Sequence, residues 1–130
     1  GENTVTNVRM VLADGAQALA TVFSPASITE LWTFFPDPWH KARHHKRRLV
    51  SPEFAEVVAS RLTADGVWRL ATDWADYAEA MREVLDAAPG LTNCFDGWAP
   101  RYELRPTTKY EQRGIDAGRE IYDLAYRRAE

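Results

Sequence analysis

Asp14, Asp37 and Asp73 each stand just beyond a short apolar run that reads as a strand, so in a parallel sheet all three fall on the carboxyl edge. Ligands of open α/β sheets bind in the crevice at that edge. Three carboxylates there suit something that carries N–H donors or positive charge. The competing reading of each is a helix N-cap, since aspartate is common at strand-to-helix junctions. Asp37 fits that alternative least, because it lies between Pro36 and Pro38 and is followed by Trp39 and a run of cations.

That run, Lys41-Ala42-Arg43-His44-His45-Lys46-Arg47-Arg48, holds five of the chain's 16 Lys and Arg, with no acid between Asp37 and Glu53. A loop this positive is a footprint for a polyanion, where phosphate contacts supply affinity without sequence information. The competing reading is a solvated surface loop. His40 and His44 have the spacing of a metal pair on a helix. A resident metal would need a third donor and neutral imidazoles, and the neighbouring cations oppose both, so no metal is expected. Cys94 is the only cysteine and has nothing reactive around it in sequence; burial is the expectation.

The elements that must position these residues alternate. Val8 to Leu12 reads as a strand running into Asp14-Gly15, and Leu19, Val22 and Phe23 mark a helix behind it. Ile28 to Phe35 reads as a second strand, stopped by Pro36-Asp37-Pro38 because proline cannot continue a ladder. Ser51-Pro52-Glu53 opens a helix with Phe54, Val57, Val58 and Leu62 at helical spacing. Asp65-Gly66 reads as a turn into a third strand, Val67 to Ala71. Tyr77, Met81, Val84 and Leu85 then mark a helix that stops at Pro89-Gly90. Strand and helix repeated three times predict a parallel α/β sheet with helices on its faces. Further on, Leu91 to Phe95 reads as a strand, Trp98 to Thr108 as a loop, Lys109 and Glu111 as part of a glycine-flanked loop, and Ile121 to Tyr126 as a last strand.

Length and composition bound what these elements can build. With 130 residues, 45% hydrophobic and 27% charged, the chain is an ordinary globular domain with a real core, and a second full domain is excluded. The net charge of -3 gives no global argument for a nucleic-acid partner, leaving only the local cluster. No apolar run approaches a membrane span, and a single cysteine fits a cytoplasmic protein. The first methionine is Met10, inside an apolar segment, so the chain is expected to be a fragment.

The segment Phe34-Phe35-Pro36-Asp37-Pro38-Trp39-His40-Lys41-Ala42-Arg43-His44-His45-Lys46-Arg47-Arg48 closely resembles the signature of the bacterial tRNA (guanine-N7)-methyltransferases. Two further blocks follow in the right order. One is Ala71-Thr72-Asp73-Trp74 with Tyr77-Ala78, and the other is Thr108-Lys109-Tyr110-Glu111-Gln112-Arg113-Gly114 with Gly118 and Ile121-Tyr122-Asp123-Leu124. Tyr110 departs from the phenylalanine usual in the family. The resemblance implies a Rossmann-like class I methyltransferase sheet, mostly parallel with a C-terminal antiparallel hairpin. It also implies that this chain is the carboxyl-terminal part, since the glycine-rich loop and the first two strands of that fold have no counterpart in it.

By the same resemblance the cofactor is S-adenosylmethionine and the partner tRNA, with a monomer and a homodimer both compatible. Asp14 would contact the cofactor adenine, and Asp37 would sit between cofactor and target base. Lys41 and Asp73 would contact substrate, and Arg43, His44, His45, Lys46, Arg47 and Arg48 would touch the RNA. Thr108, Lys109, Tyr110 and Glu111 would help bind the target nucleotide. Guanine N7 carries an in-plane lone pair, so its methylation needs placement more than a strong base. Two other functions stay open: a non-catalytic RNA-binding module that keeps the basic segment, and a methyltransferase for a small molecule, which would leave the clustered cations unexplained.

Overall fold

The fold is known from a computed structural model, which describes residues 8–9, 24–103 and 109–129. The helix expected around Leu19, Val22 and Phe23 lies outside the described residues, as do Met10 to Leu12 of the first strand. In chain order the elements are β1 (Val8–Arg9), β2 (Ile28–Phe34), a 3-10 helix (Ala42–Arg47), α1 (Pro52–Arg61), β3 (Leu62–Thr72), α2 (Ala75–Ala87), β4 (Leu91–Asn93), α3 (Lys109–Asp116) and β5 (Tyr122–Arg128).

One sheet contains all five strands in the order β1-β2-β3-β5-β4. β1, β2 and β3 run parallel, and β5 enters antiparallel between β3 and β4. The expected antiparallel C-terminal pair is therefore present, but it is not a tight hairpin: α3 and a long connection separate β4 from β5.

Alternation along the strands makes one face of the sheet the core. Leu31, Trp68, Leu70, Leu124 and Tyr126 are buried there against Phe54 and Val58 of α1 and Tyr77, Met81 and Leu85 of α2. Burying each such side chain stabilises by about 1.5–3 kcal/mol. Trp68, fully buried, keeps its indole N–H satisfied by donating to Thr33 Oγ1 at 2.9 Å, as a buried donor must.

The helix start read at Ser51-Pro52-Glu53 is built as its sequence demands. Ser51 Oγ accepts from the Phe54 amide at 3.2 Å, Pro52 fills the first position and Glu53 meets the positive end of the helix dipole.

Four readings need correction. The Asp65-Gly66 pair does not turn the chain into β3; the strand already starts at Leu62, and the pair forms an irregularity within it. Register with β2 shifts there, from Ile28 opposite Leu62 to Glu30 opposite Val67. Gly66 is required because a Cβ would lie 2.9 Å from Ile28 O and from Thr63 N. The basic run is a 3-10 helix, closed by His44 N to Lys41 O at 2.8 Å and Arg48 N to His45 O at 3.1 Å, rather than an open loop. Lys109 to Asp116 is helical; Gly118, at φ +80°, belongs to the turn that ends α3, with its amide donating to Ile115 O. Cys94 is exposed, because β4 ends one residue earlier and Asn93 Oδ1 caps the departing turn at the Phe95 amide.

Candidate functional site at the carboxyl edge

β2 and β3 are neighbours and end in step, with Phe34 opposite Ala71. Phe35 adds one more ladder bond, its amide donating to Ala71 O at 2.7 Å, and the chain then leaves the sheet. Phe35 and Trp39 both take left-handed backbone conformations, φ +54° and +43°. For bulky side chains this costs roughly 1–3 kcal/mol each and persists only where surrounding contacts enforce it. Between them Pro36 and Pro38 fix φ and lack amide donors, so Asp37 is presented on a stiff turn. One of its carboxylate oxygens accepts from the Trp39 amide at 3.0 Å, and the side chain is otherwise open to solvent.

The basic segment folds back against this turn. Arg48 Nε donates to Pro38 O at 2.6 Å, His45 Nε2 lies 3.2 Å from His40 O, and the Arg47 guanidinium sits 5.3 Å from the centre of the Trp39 ring. Asp37 and the cations thus border one region of the surface. Lys41, Arg43, Lys46 and Arg47 are exposed, whereas His44 and His45 are half-buried, His44 edge-on to Trp39. Arg48 is different. It is buried, donates from Nη2 to Asp76 Oδ2 at 2.7 Å and lies over the Tyr77 ring, 4.6 Å from its centre.

The first turn of α2 forms the floor of this region. Asp76 is held below its ordinary 3.8 chiefly by the hydrogen bond from Arg48, with desolvation opposing and His45 and His40 adding smaller attractions. Burial pushes the Tyr77 hydroxyl up to about 12, and the nearby charge of Asp37 adds to the shift while Val50 and Arg48 oppose it. That hydroxyl accepts from the Val50 amide at 3.1 Å, which ties the end of the basic segment to α2.

A depressed carboxylate has a defined linkage to pH. Its contribution to stability is present above the unfolded value and disappears as pH falls through the lower folded value. Asp76→Asn is therefore expected to melt below the wild-type protein at pH 7, with the two melting curves converging in acid below the ordinary carboxylate range. Thermal unfolding followed from pH 7 down to pH 2 reads this directly; a gap that persists in acid would assign the loss to packing instead.

Asp73 follows β3 but is not a cap, because Trp74 occupies the N-cap position of α2 without a side-chain bond. Its carboxylate, largely buried, instead accepts from Arg119 Nε at 2.8 Å. The Arg119 guanidinium also lies 4.8 Å from the Trp74 ring centre, and His40 meets the Trp74 ring edge-on at 4.1 Å. Sequence reasoning missed Arg119, which is separated from Asp73 by most of β5's approach and by the whole of α2, β4 and α3. The one available signal was Gly118, which stops α3 and turns the next residue back towards the sheet.

Glu111 is almost fully buried and pairs with Arg101 Nε at 3.1 Å. Lys109 and Tyr110 fall in the first turn of α3, their side chains outside the described part of the structure. Asp14 and Thr108 also lie outside the described residues. Among those described, no three His, Cys, Asp or Glu side chains are grouped to hold a metal ion, and no helix is long and apolar enough to cross a membrane.

Comparison with known proteins follows the same stretch of chain. Residues 1–124 match the model of a family described as "Putative methyltransferase". The chain is 53% identical over 128 residues to a tRNA (guanine-N(7)-)-methyltransferase of Cutibacterium acnes, covering 96% of the chain and 46% of that protein. It is 56% identical to the Nocardioides enzyme of the same name, covering 98% of the chain and 50% of that protein. The corresponding figures for Paraburkholderia xenovorans are 48% identity, 98% and 49%. The chain spans about half the length of these curated relatives. Asp37, the basic segment and Asp73 all fall inside the matched residues, and the chain belongs to this methyltransferase family.

Proposed function

We propose that the protein carrying this chain is a tRNA (guanine-N7-)-methyltransferase, which uses S-adenosylmethionine to methylate N7 of a guanosine in the tRNA variable loop. The observation that carries this reading is the seam between the Asp37 turn and the basic segment, joined at Pro38 by Arg48 and at Trp39 by the exposed Arg47. A single surface there offers a carboxylate for a base and guanidinium groups for its phosphates.

When bound, S-adenosylmethionine would supply a methyl group activated by sulfonium charge. An exposed carboxylate whose one described hydrogen bond is from the Trp39 amide suits a cationic group, and Asp37 is the described residue assigned to it, with Asp14 as its partner. The chain's own work is then binding and orientation. No proton need leave guanine N7 before it reacts, and holding it in line can be worth roughly 7–11 kcal/mol.

Asp37 would accept the guanine N1–H and N2–H donors and stabilise the positive charge that grows on the base. Lys41 would meet O6 or a phosphate. Asp73, oriented by Arg119, would accept a further substrate donor, while Glu111 would fix the segment of Thr108, Lys109 and Tyr110 at the nucleotide. Arg43, His44, His45, Lys46 and Arg47 would follow the RNA backbone, and a tRNA substrate would call for a cytoplasmic protein.

The test gives the full-length protein tRNA and methyl-labelled S-adenosylmethionine. Label should enter tRNA, and borohydride–aniline scission, which is selective for 7-methylguanosine, should cut within the variable loop. Steeply salt-dependent tRNA binding with no label transferred would leave an RNA-binding module. Absence of salt-dependent binding would end both RNA readings.

A further inference from the structure

We propose that Arg48 is a positioning residue for Asp37 and not one of the phosphate contacts. It is the one cation of the basic segment that the fold takes inside. Only 8% of Arg48 is exposed, while its neighbours Lys46 and Arg47 face solvent. A buried guanidinium is tolerated only when its charge is paired and its donors are used. Here Nε donates to Pro38 O, Nη2 to the Asp76 carboxylate, and the planar group covers the Tyr77 ring. Those three anchors belong to the Asp37 turn and to the first turn of α2.

The turn needs such a tie. Its two prolines supply no amide donors, and left-handed Phe35 and Trp39 flank it at a cost in energy. The acceptor that Arg48 engages is the carbonyl of the residue directly after Asp37, so the bond fixes the backbone that carries the carboxylate. Asp76, 70% exposed at its side chain, takes the second fork of the guanidinium and sets its direction. Lysine keeps the charge but offers a point donor instead of a divergent planar fork, and cannot serve both acceptors in this geometry. Conservative replacement therefore separates position from charge.

The inference rests on the proposed role of Asp37 in guanine methylation, and the test uses the full-length protein with Arg48→Lys, Arg48→Ala and Asp76→Asn. For Arg48→Lys, kcat should fall about tenfold to a hundredfold, in the range that small misplacements of reacting groups cost. The tRNA Kd and its salt slope should not change. Asp76→Asn should lower kcat in the same direction, and Arg48→Lys with Asp76→Asn should be no worse than Arg48→Lys alone, because both break one linkage. Trypsin should cut between Lys41 and Arg47 faster in Arg48→Lys than in wild type, a readout that does not depend on activity and still decides the inference if the wild-type protein transfers no methyl group.

Wild-type kcat in Arg48→Lys would overturn the proposal, as would wild-type tryptic cleavage. A salt slope lower by about one unit with kcat intact would return Arg48 to the phosphate contacts. If Arg48→Ala does not fold, Arg48→Lys carries the test. A kcat loss that vanishes at a lower temperature, where both proteins are fully folded, would reduce Arg48 to general stability and overturn the positioning role.

Discussion

Asp37→Asn is expected to lower kcat for guanine methylation by about 10²–10³-fold, the usual consequence of removing one preorganised electrostatic partner of a transition state. The substitution is nearly isosteric, and asparagine keeps an oxygen that can accept the Trp39 amide hydrogen bond, so the turn should survive. Because the side chain is exposed, stability should stay within about 0.5 kcal/mol of wild type. Two things are lost. The negative charge no longer meets the positive charge growing on the base, and an NH₂ donor faces the guanine donors where an acceptor stood. Both are felt more in the transition state than in the ground state, so kcat should carry the loss while the tRNA Kd moves by no more than about twofold. Single-turnover methylation at saturating tRNA, beside an independent binding measurement, checks the split. Full turnover in Asp37→Asn would remove this carboxylate from the chemistry.

The parts of this site that were legible in sequence are those set by local rules. Proline on both sides of Asp37, the Ser51-Pro52-Glu53 start and the apolar runs before Asp37 and Asp73 each constrain the backbone within a few residues, and β2, α1, α2 and the carboxyl edge appeared where they were read. The missed features depend on contacts remote in sequence. A run of like charges carries no mark that separates Arg48 from Arg47; the burial of the former comes from Asp76 and Tyr77 on another element. For Asp73 the sequence leaves a ligand-facing carboxylate and a helix cap both open, and the contact that decides against the cap comes from Arg119, in the turn before β5. Glycine misled twice. At Asp65-Gly66 it permits close approach to Ile28 inside a strand, and at Gly118 it ends a helix that had been read as loop.

Replacing Arg43, Lys46 and Arg47 together with alanine should weaken tRNA binding about a hundredfold at low salt and lower the slope of log K against log salt by about two to three. In a 3-10 helix residues three apart eclipse, which puts Arg43 with Lys46 on one side and His44 with Arg47 on another, so the cations spread over the surface of the segment. All three are exposed; only Arg47 touches the turn, over the Trp39 ring, and without it the segment stays tied through Arg48 to Pro38 and Asp76 and through His45 to His40. The loss should therefore be one of counterion release and not of folding, leaving the melting temperature near that of wild type. Phosphate contacts act equally on the bound substrate and on the transition state, so kcat at saturating tRNA should hold while KM rises. Binding measured between about 50 and 200 mM salt separates this outcome from its alternative. An unaltered slope would mean that the cations face water and that the RNA, if it binds at all, is held elsewhere; a collapse of kcat at saturating tRNA would mean that they orient the guanosine as well as grip its strand.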